Sequence, residues 1–236
     1  MLGVFVNVAA VIIGGLVGLL VKKGIPKRFS GSIMTGVGLC TMYIGISGAL
    51  QGENVIILVA SIVLGVASGT ALKIDERLDS LGEKLEARFA SKGNSGEKAS
   101  IAQGFVTGSL LFCVGAMAIV GSINSGLTGD HTMIYAKSTL DMIAAAMLAV
   151  TLGVGVIFSA ASIFVYQGAL VLLARLLSPL LEDPVLIAEM NCAGSIIIIA
   201  LGLNLIGVTK IKVANFLPAI IFAPVITAIL TSASSG

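Results

Sequence analysis

Long stretches of this chain carry no charge, and that constrains its fold more than any motif does. Residues 2–21 contain no Asp, Glu, Lys or Arg, and apolar stretches of similar length recur at 33–50, 55–72, 102–121, 138–158, 161–177, 187–207 and 213–231. A helix needs about 20 apolar residues to cross a bilayer, within a range of roughly 17–25. The chain therefore reads as an all-α polytopic membrane protein with about eight transmembrane helices. Composition agrees: 11% of residues are charged, against about 25% in soluble domains.

The placement of the few charges predicts an orientation. With the N-terminus outside, Lys22, Lys23, Lys27 and Arg28 follow span one on the inner side. Six more basic residues, from Lys73 to Lys98, follow span three, and Lys210 and Lys212 follow span seven. Twelve of the 14 basic residues are then cytoplasmic, with only Lys137 and Arg175 outside, as the positive-inside bias requires. Thirty-three uncharged residues separate Asp141 from Arg175. Two helices fit there with a tight turn near Ser159-Ala160-Ala161-Ser162, and a broken or re-entrant segment is the rival. Removing one crossing would flip Lys210 and Lys212 outward, so parity favours two. Both termini are then expected outside. The positive charges follow the first apolar run, whereas a cleaved leader has them before it, so span one is expected to be retained.

The whole chain, 1–236, reads as a single transmembrane domain. Residues 73–100 form a cytoplasmic insertion between spans three and four. In it, Ile74, Leu78, Leu81, Leu85 and Phe89 share one helical face, and Ser91–Gly96 reads as a linker. Small residues four apart, Gly14 with Gly18 and Gly65 with Gly69, predict close helix packing. A second pattern, a small residue and Gly followed by a glycine seven to nine residues on, recurs at Thr35-Gly36 with Gly45, at Thr107-Gly108 with Gly115 and at Ala193-Gly194 with Gly202. Spans one to three can be laid over spans six to eight as an inverted repeat, and a parallel pairing of spans two and three with four and five matches about as well.

The basic residues sit in loops, so the charge reports topology and not a nucleic-acid partner. Cys40, Cys113 and Cys192 are dispersed, His131 is the sole histidine, and no metal site or cofactor is expected. No hydrolase or metalloprotease motif occurs, so the chain is not read as an enzyme. What remains is polar groups at membrane depth, which are costly and often functional. Asp141 and Glu189 lie near the outer ends of their spans, with Asn7 near the outer end of span one. Lys137 is one turn from Asp141, and Gln167, Asn191 and Asn204 extend a polar track. Pro218 and Pro224 interrupt span eight. These features are candidates for a substrate or ion pathway, and interfacial pairing of Lys137 with Asp141 or of Arg175 with Glu189 is the alternative.

The stretches IAQGFVTGSLLFCVGAMAIVG from Ile101, TLGVGVIFSA from Thr151 and ALGLNLI from Ala200, with Tyr135-Ala136-Lys137-Ser138, Tyr166-Gln167-Gly168, Glu189-Met190 and Lys212-Val213-Ala214-Asn215, carry a resemblance over nearly the whole chain. It resembles the bacterial family of uncharacterised inner-membrane proteins that includes YqgA and YdfK. The resemblance implies a multi-pass inner-membrane protein and supplies no substrate. The expected partners are the lipid bilayer and a small solute or ion, and the glycine faces fit packing within one chain or against a second copy equally well. The expected function is a secondary transporter of a small solute or ion, coupled to H⁺ or Na⁺. The alternatives are a non-transporting scaffold or assembly protein and an oligomeric channel.

Overall fold

A computed structural model describes residues 1–22, 27–78, 80, 98–177 and 183–234. Among these, the regular elements are all helical: α1 (Leu2–Lys22), α2 (Lys27–Ala49), α3 (Val55–Ala71), α4 (Lys98–Cys113), α5 (Ala116–Leu127), α6 (Thr132–Leu152), α7 (Gly155–Leu172), α8 (Ala174–Leu177), α9 (Pro184–Leu205), a 3₁₀ turn (Val213–Phe216) and α10 (Ala219–Ser234). Most of the insertion expected to be cytoplasmic, 79 and 81–97, lies outside the described residues, as do Lys23 and Leu181.

Local chemistry sets the helix ends. Asn54 caps α3 by accepting from Ile56 and Ile57 N–H, and Asp183 caps α9 by accepting from Val185 and Leu186, with Pro184 at the first helical position. Gly153, at φ 75°, ends α6 in the left-handed region that glycine enters without steric cost. The turn between the fifth and sixth expected spans is therefore at Gly153-Val154, not at Ser159–Ser162. This shift matters for the site, because α6 begins at Thr132 and takes Lys137 into the helix instead of leaving it in an outer flank.

A second correction concerns the expected uninterrupted span 102–121. The chain bends by 61° between α4 and α5, with Gly115 at φ 126° in the gap. Gly115 is a hinge in the backbone, not the packing glycine that its spacing suggests. Gly104 and Gly108 of α4 lie against Val156 and Ser159 near the start of α7, whereas Gly126 of α5 lies against Val171 near its end and Ala174 of α8. The bent pair thus advances along the whole of α7, as a broken crossing would. Among the described residues, six helical segments are long and apolar enough to cross, the bent pair is a seventh candidate, and α3, at 17 residues, falls at the short limit.

Packing joins each early helix to a later one: α1 to α6, α2 to α9, α3 to α10 and α4 to α7. The glycine contacts give the directions. Gly14 and Gly18 meet Met142 and Ala146, so α1 and α6 run parallel, as do α4 and α7. Gly38 and Gly48 meet Gly202 and Ser195, and Gly65 and Gly69 meet Ala219 and Asn215, so those pairs are antiparallel. These are the directions that eight alternating crossings would have. The shared core is apolar, with Val11, Phe112, Leu148, Ile163, Ile197 and Leu201 meeting from five helices.

The segments after α3 and α9 are tied by hydrogen bonds. Lys73, at φ 52°, separates α3 from the helical residues that follow it, and Asp75 N–H donates to Asn215 Oδ1 at 2.9 Å. Asn204 closes the loop after α9: its Nδ2 donates to Ile211 O at 2.7 Å, and its Oδ1 accepts from Thr209 Oγ1 and Ile211 N–H. The exposed pairs of Glu76 with Lys73 and Lys212 add little.

A lipid environment gives helices no hydrophobic reason to associate, so the seams depend on close backbone contact. A Cβ on Gly14 or Gly18 would collide with the carbonyl oxygens of Met142 or Ala146. Gly14→Leu and Gly18→Leu should each cost about 1–3 kcal/mol or more by overpacking, read as loss of the monodisperse folded fraction on heating in detergent. Gly36→Ala, where a Cβ meets open space, should be tolerated.

Candidate functional site

Residues four apart share a helix face, and α6 uses this to place Lys137 and Asp141 together. The two form an ion pair through Asp141 Oδ2. They are only 5% and 7% exposed, so the pair is buried within the protein. Asn7 of α1 adds a donor: its Nδ2 reaches Asp141 Oδ2 at 3.1 Å and Gln167 Oε1, from α7, at 3.2 Å. The parallel packing of α1 on α6 delivers Asn7 to this depth. Gln167 lies in the last third of α7, since that helix begins at Gly155, earlier than the expected span. Asn7 Oδ1 and Gln167 Nε2 are buried without hydrogen-bond partners.

Lys137 and Asp141 also form part of the wall of a half-open cavity of about 450 Å³ between α2, the α4–α5 break, α6 and α9. Ser47 and Gln51 line it from α2 and the turn that follows, Asn191 and Ser195 from α9, and Val114 and Gly115 from the break. The N-terminus of α5, at Gly115, has no side-chain cap. Its first turn has Ala118 and Ile119 N–H bonded back to Gly115 O. The positive end of the α5 dipole therefore begins at the cavity wall.

Glu189 belongs to a second cluster. It is 1% exposed, and its Oε1 accepts from the N–H groups of Glu53 and Asn54 at 2.8 Å each. Its Oε2 is buried without a partner. Asn191 Nδ2 donates to Gln51 Oε1 at 3.0 Å, and Cys192 Sγ donates to Ala49 O. This cluster fixes the loop between α2 and α3 onto α9. Glu189 therefore has partners separate from those of Asn7 and Asp141.

Of the sequence candidates, Asn7, Lys137, Asp141 and Gln167 come together, Asn191 joins Lys137 and Asp141 at the cavity, Glu189 stands in the neighbouring cluster, and Asn204 serves its own loop. Gly14, Gly18, Gly65 and Gly69 are all in helix seams. Sequence reasoning missed Ser47, Gln51, Ser195 and the break at Gly115. The signal available for these was small: a glycine or serine in a span reads the same whether it packs or lines a cavity. Outside the spans, Asp130 accepts from Thr132, whose hydroxyl and N–H hold its carboxyl below the usual range. His131 Nδ1 pairs with Ser125 Oγ at 2.7 Å. Among the described residues no cluster of three or more His, Cys, Asp or Glu could hold a metal ion.

Helical segments long enough to cross and a polar cluster buried among them define an all-α polytopic membrane protein. The chain belongs to the family described as "Protein of unknown function (DUF554)", whose model matches residues 2–228. It is similar to "Uncharacterized membrane protein YdfK" of Bacillus subtilis (strain 168), with 30% identity over 230 residues, covering 96% of this chain and 95% of that protein. It is also similar to "Uncharacterized protein YqgA" of Escherichia coli (strain K12), at 29% over 231 residues and 98% of each chain. No solved structure matches.

Removing one member of a buried ion pair strands the other, at a cost of about 3–5 kcal/mol. Lys137→Met and Asp141→Leu should each lower thermal stability in detergent markedly. The double variant should recover part of the loss, giving a favourable coupling energy in a double-mutant cycle.

Proposed function

We propose that this protein is a secondary transporter of a small solute or ion in the bacterial inner membrane, coupled to H⁺ or Na⁺. The observation that carries the reading is the placement of the Lys137–Asp141 pair in the wall of a cavity at the break of a crossing helix. The cavity's size falls within the range of about 300–1,000 Å³ typical of small-molecule sites. Irregular backbone at membrane depth is tolerated where it is buried in protein or lines a cavity, and transporters commonly place binding sites at such broken helices.

Further support comes from the pairing of early helices with late ones. Movement of the α1–α6 unit against the α2–α9 unit would open and close the cavity between them. An inverted repeat of spans one to three and six to eight would give the two end states equivalent geometry. The basic loops orient both termini outside, and all eight apolar segments, α3 included, then cross.

The test is uptake by sealed proteoliposomes of a panel of labelled anions, amino acids and monovalent cations under imposed pH or Na⁺ gradients. At least one solute should accumulate only with a gradient, and Asp141→Asn should abolish that dependence. Flux that ignores both gradients and shows unitary currents would replace the transporter with a channel. No flux of any panel solute, with the protein folded, would favour a scaffold.

A further inference from the structure

We infer that the cavity takes a small monovalent anion together with one proton, the anion replacing Asp141 on Lys137 and the proton passing to Asp141. This rests on the transport reading and names the class of its cargo.

The first ground is what a solute meets in the cavity. Lys137 and Asp141 are the charged side chains in its lining, and they neutralise each other. The polar groups around them, Tyr43, Ser47, Gln51, Asn191 and Ser195, are neutral. A solute that engages one charge strands the other, and a stranded buried charge is strongly unfavourable. Binding therefore has to supply both halves of the exchange. An anion on Lys137 does so if a proton from water settles on Asp141, because a carboxyl without a counter-charge is stable there only when neutral. Charge is conserved: one anion and one proton enter, and the site stays neutral.

The second ground favours an anion over a cation. The uncapped start of α5 at Gly115 lies in the same wall as Lys137, so the dipole end there adds to the ammonium rather than to the carboxylate.

The third ground is the amide pair behind Asp141. With Asp141 ionised, Asn7 Nδ2 donates to Asp141 Oδ2 and to Gln167 Oε1, leaving Asn7 Oδ1 and Gln167 Nε2 buried and unpartnered. A primary amide carries its donor and acceptor on opposite sides. Half a turn of both amides presents Asn7 Oδ1 to a protonated Asp141, which donates to it, and Gln167 Nε2 donates to the same oxygen. The two atoms left idle by the carboxylate are those the carboxylic acid engages, and the number of bonds is unchanged. Asn7 and Gln167 are thus positioning residues suited to both charge states of Asp141.

The other groups near the pair leave this exchange intact. Cys113 of α4 lies in electrostatic range of both Lys137 and Asp141, and Tyr166 of α7 in range of Cys113. Tyr43 of α2 lines the cavity. Glu189 of α9 is committed to the amides of Glu53 and Asn54.

The experiment uses the full chain in nanodiscs of phosphatidylethanolamine and phosphatidylglycerol. Chloride, nitrate, formate and L-lactate are titrated between pH 5.5 and 7.5, with thermal shift reporting binding and a pH dye in weak buffer reporting protons. At least one anion should bind with uptake of one proton, its affinity falling about tenfold per pH unit toward the alkaline end. Asp141→Asn should bind that anion at all pH values without proton uptake, and Lys137→Met should not bind it. Asn7→Leu should shift the pH dependence of binding, which a purely structural role would not. Three results overturn the inference: no binding of any of the four anions to the parent at pH 5.5, binding without proton uptake, or binding of Na⁺ or K⁺ with proton release. The parent's proton uptake decides even if a variant fails to fold. Gradient-driven flux in vesicles without proton-linked binding would end this inference and leave transport standing. Proton-linked binding without flux would do the reverse.

Discussion

Bare backbone at Gly14 and Gly18 lets α1 lie directly against the carbonyls of α6, and the rest of the arrangement depends on seams of this kind. Lipid chains are as apolar as leucine, so burying apolar side chains between helices gains little. Dispersion and Cα–H···O contacts must supply the attraction, the latter worth about 0.5–1 kcal/mol each. Both require approach closer than a side chain permits. The same device recurs where Gly38 of α2 meets Gly202 of α9, where Gly65 and Gly69 of α3 meet Ala219 and Asn215, and where Gly104 of α4 meets Gly155 and Val156 of α7. Each seam joins an early helix to a late one, which knits the two halves of the chain into one body.

That close packing allows a polar site to exist at depth. Asn7 reaches Asp141 because α1 and α6 run parallel in contact, and Gln167 reaches Asn7 because α7 also packs on α1. An ion pair in a bilayer would be prohibitive if it faced lipid. Here Lys137 and Asp141 face protein on one side and a cavity on the other. The bend at Gly115 obeys the same rule, since the backbone groups freed by a broken helix also need protein or cavity beside them.

Much of this was legible in the sequence, and the failures have physical causes. The spans were readable because lipid demands uninterrupted apolar length: α1 and α3 lie close to their expected bounds, and α2 ends where expected but begins earlier, at Lys27. Helix rotation was not readable. A lipid-facing helix is apolar on both its packed and exposed sides, so periodicity carries little signal. The turn between α6 and α7 was misplaced for that reason: nothing distinguishes Gly153 from the packing glycines except its backbone conformation. Gly115 hid its bend in the same way. The spacing of Lys137 and Asp141 announced their pairing, but its burial depended on where α6 begins. Asn7, Gln167 and Glu189 stood out as polar residues in apolar runs, whereas their partners are more than 130 residues distant and only the fold joins them. Asn204 looked the same from the sequence, yet its amide is spent on the loop that follows its own helix.

The central claim is that water reaches an ion-paired cavity inside the protein. The most direct measurement is labelling of single cysteines by a membrane-impermeant maleimide in intact membranes, in a background with Cys40, Cys113 and Cys192 replaced. Ser47→Cys and Ser195→Cys, in the cavity wall, should react from at least one side of the membrane. Val63→Cys, on the outward face of α3, should stay unreactive in lipid. Failure of both cavity positions to react from either side, in protein that remains folded, would contradict the account.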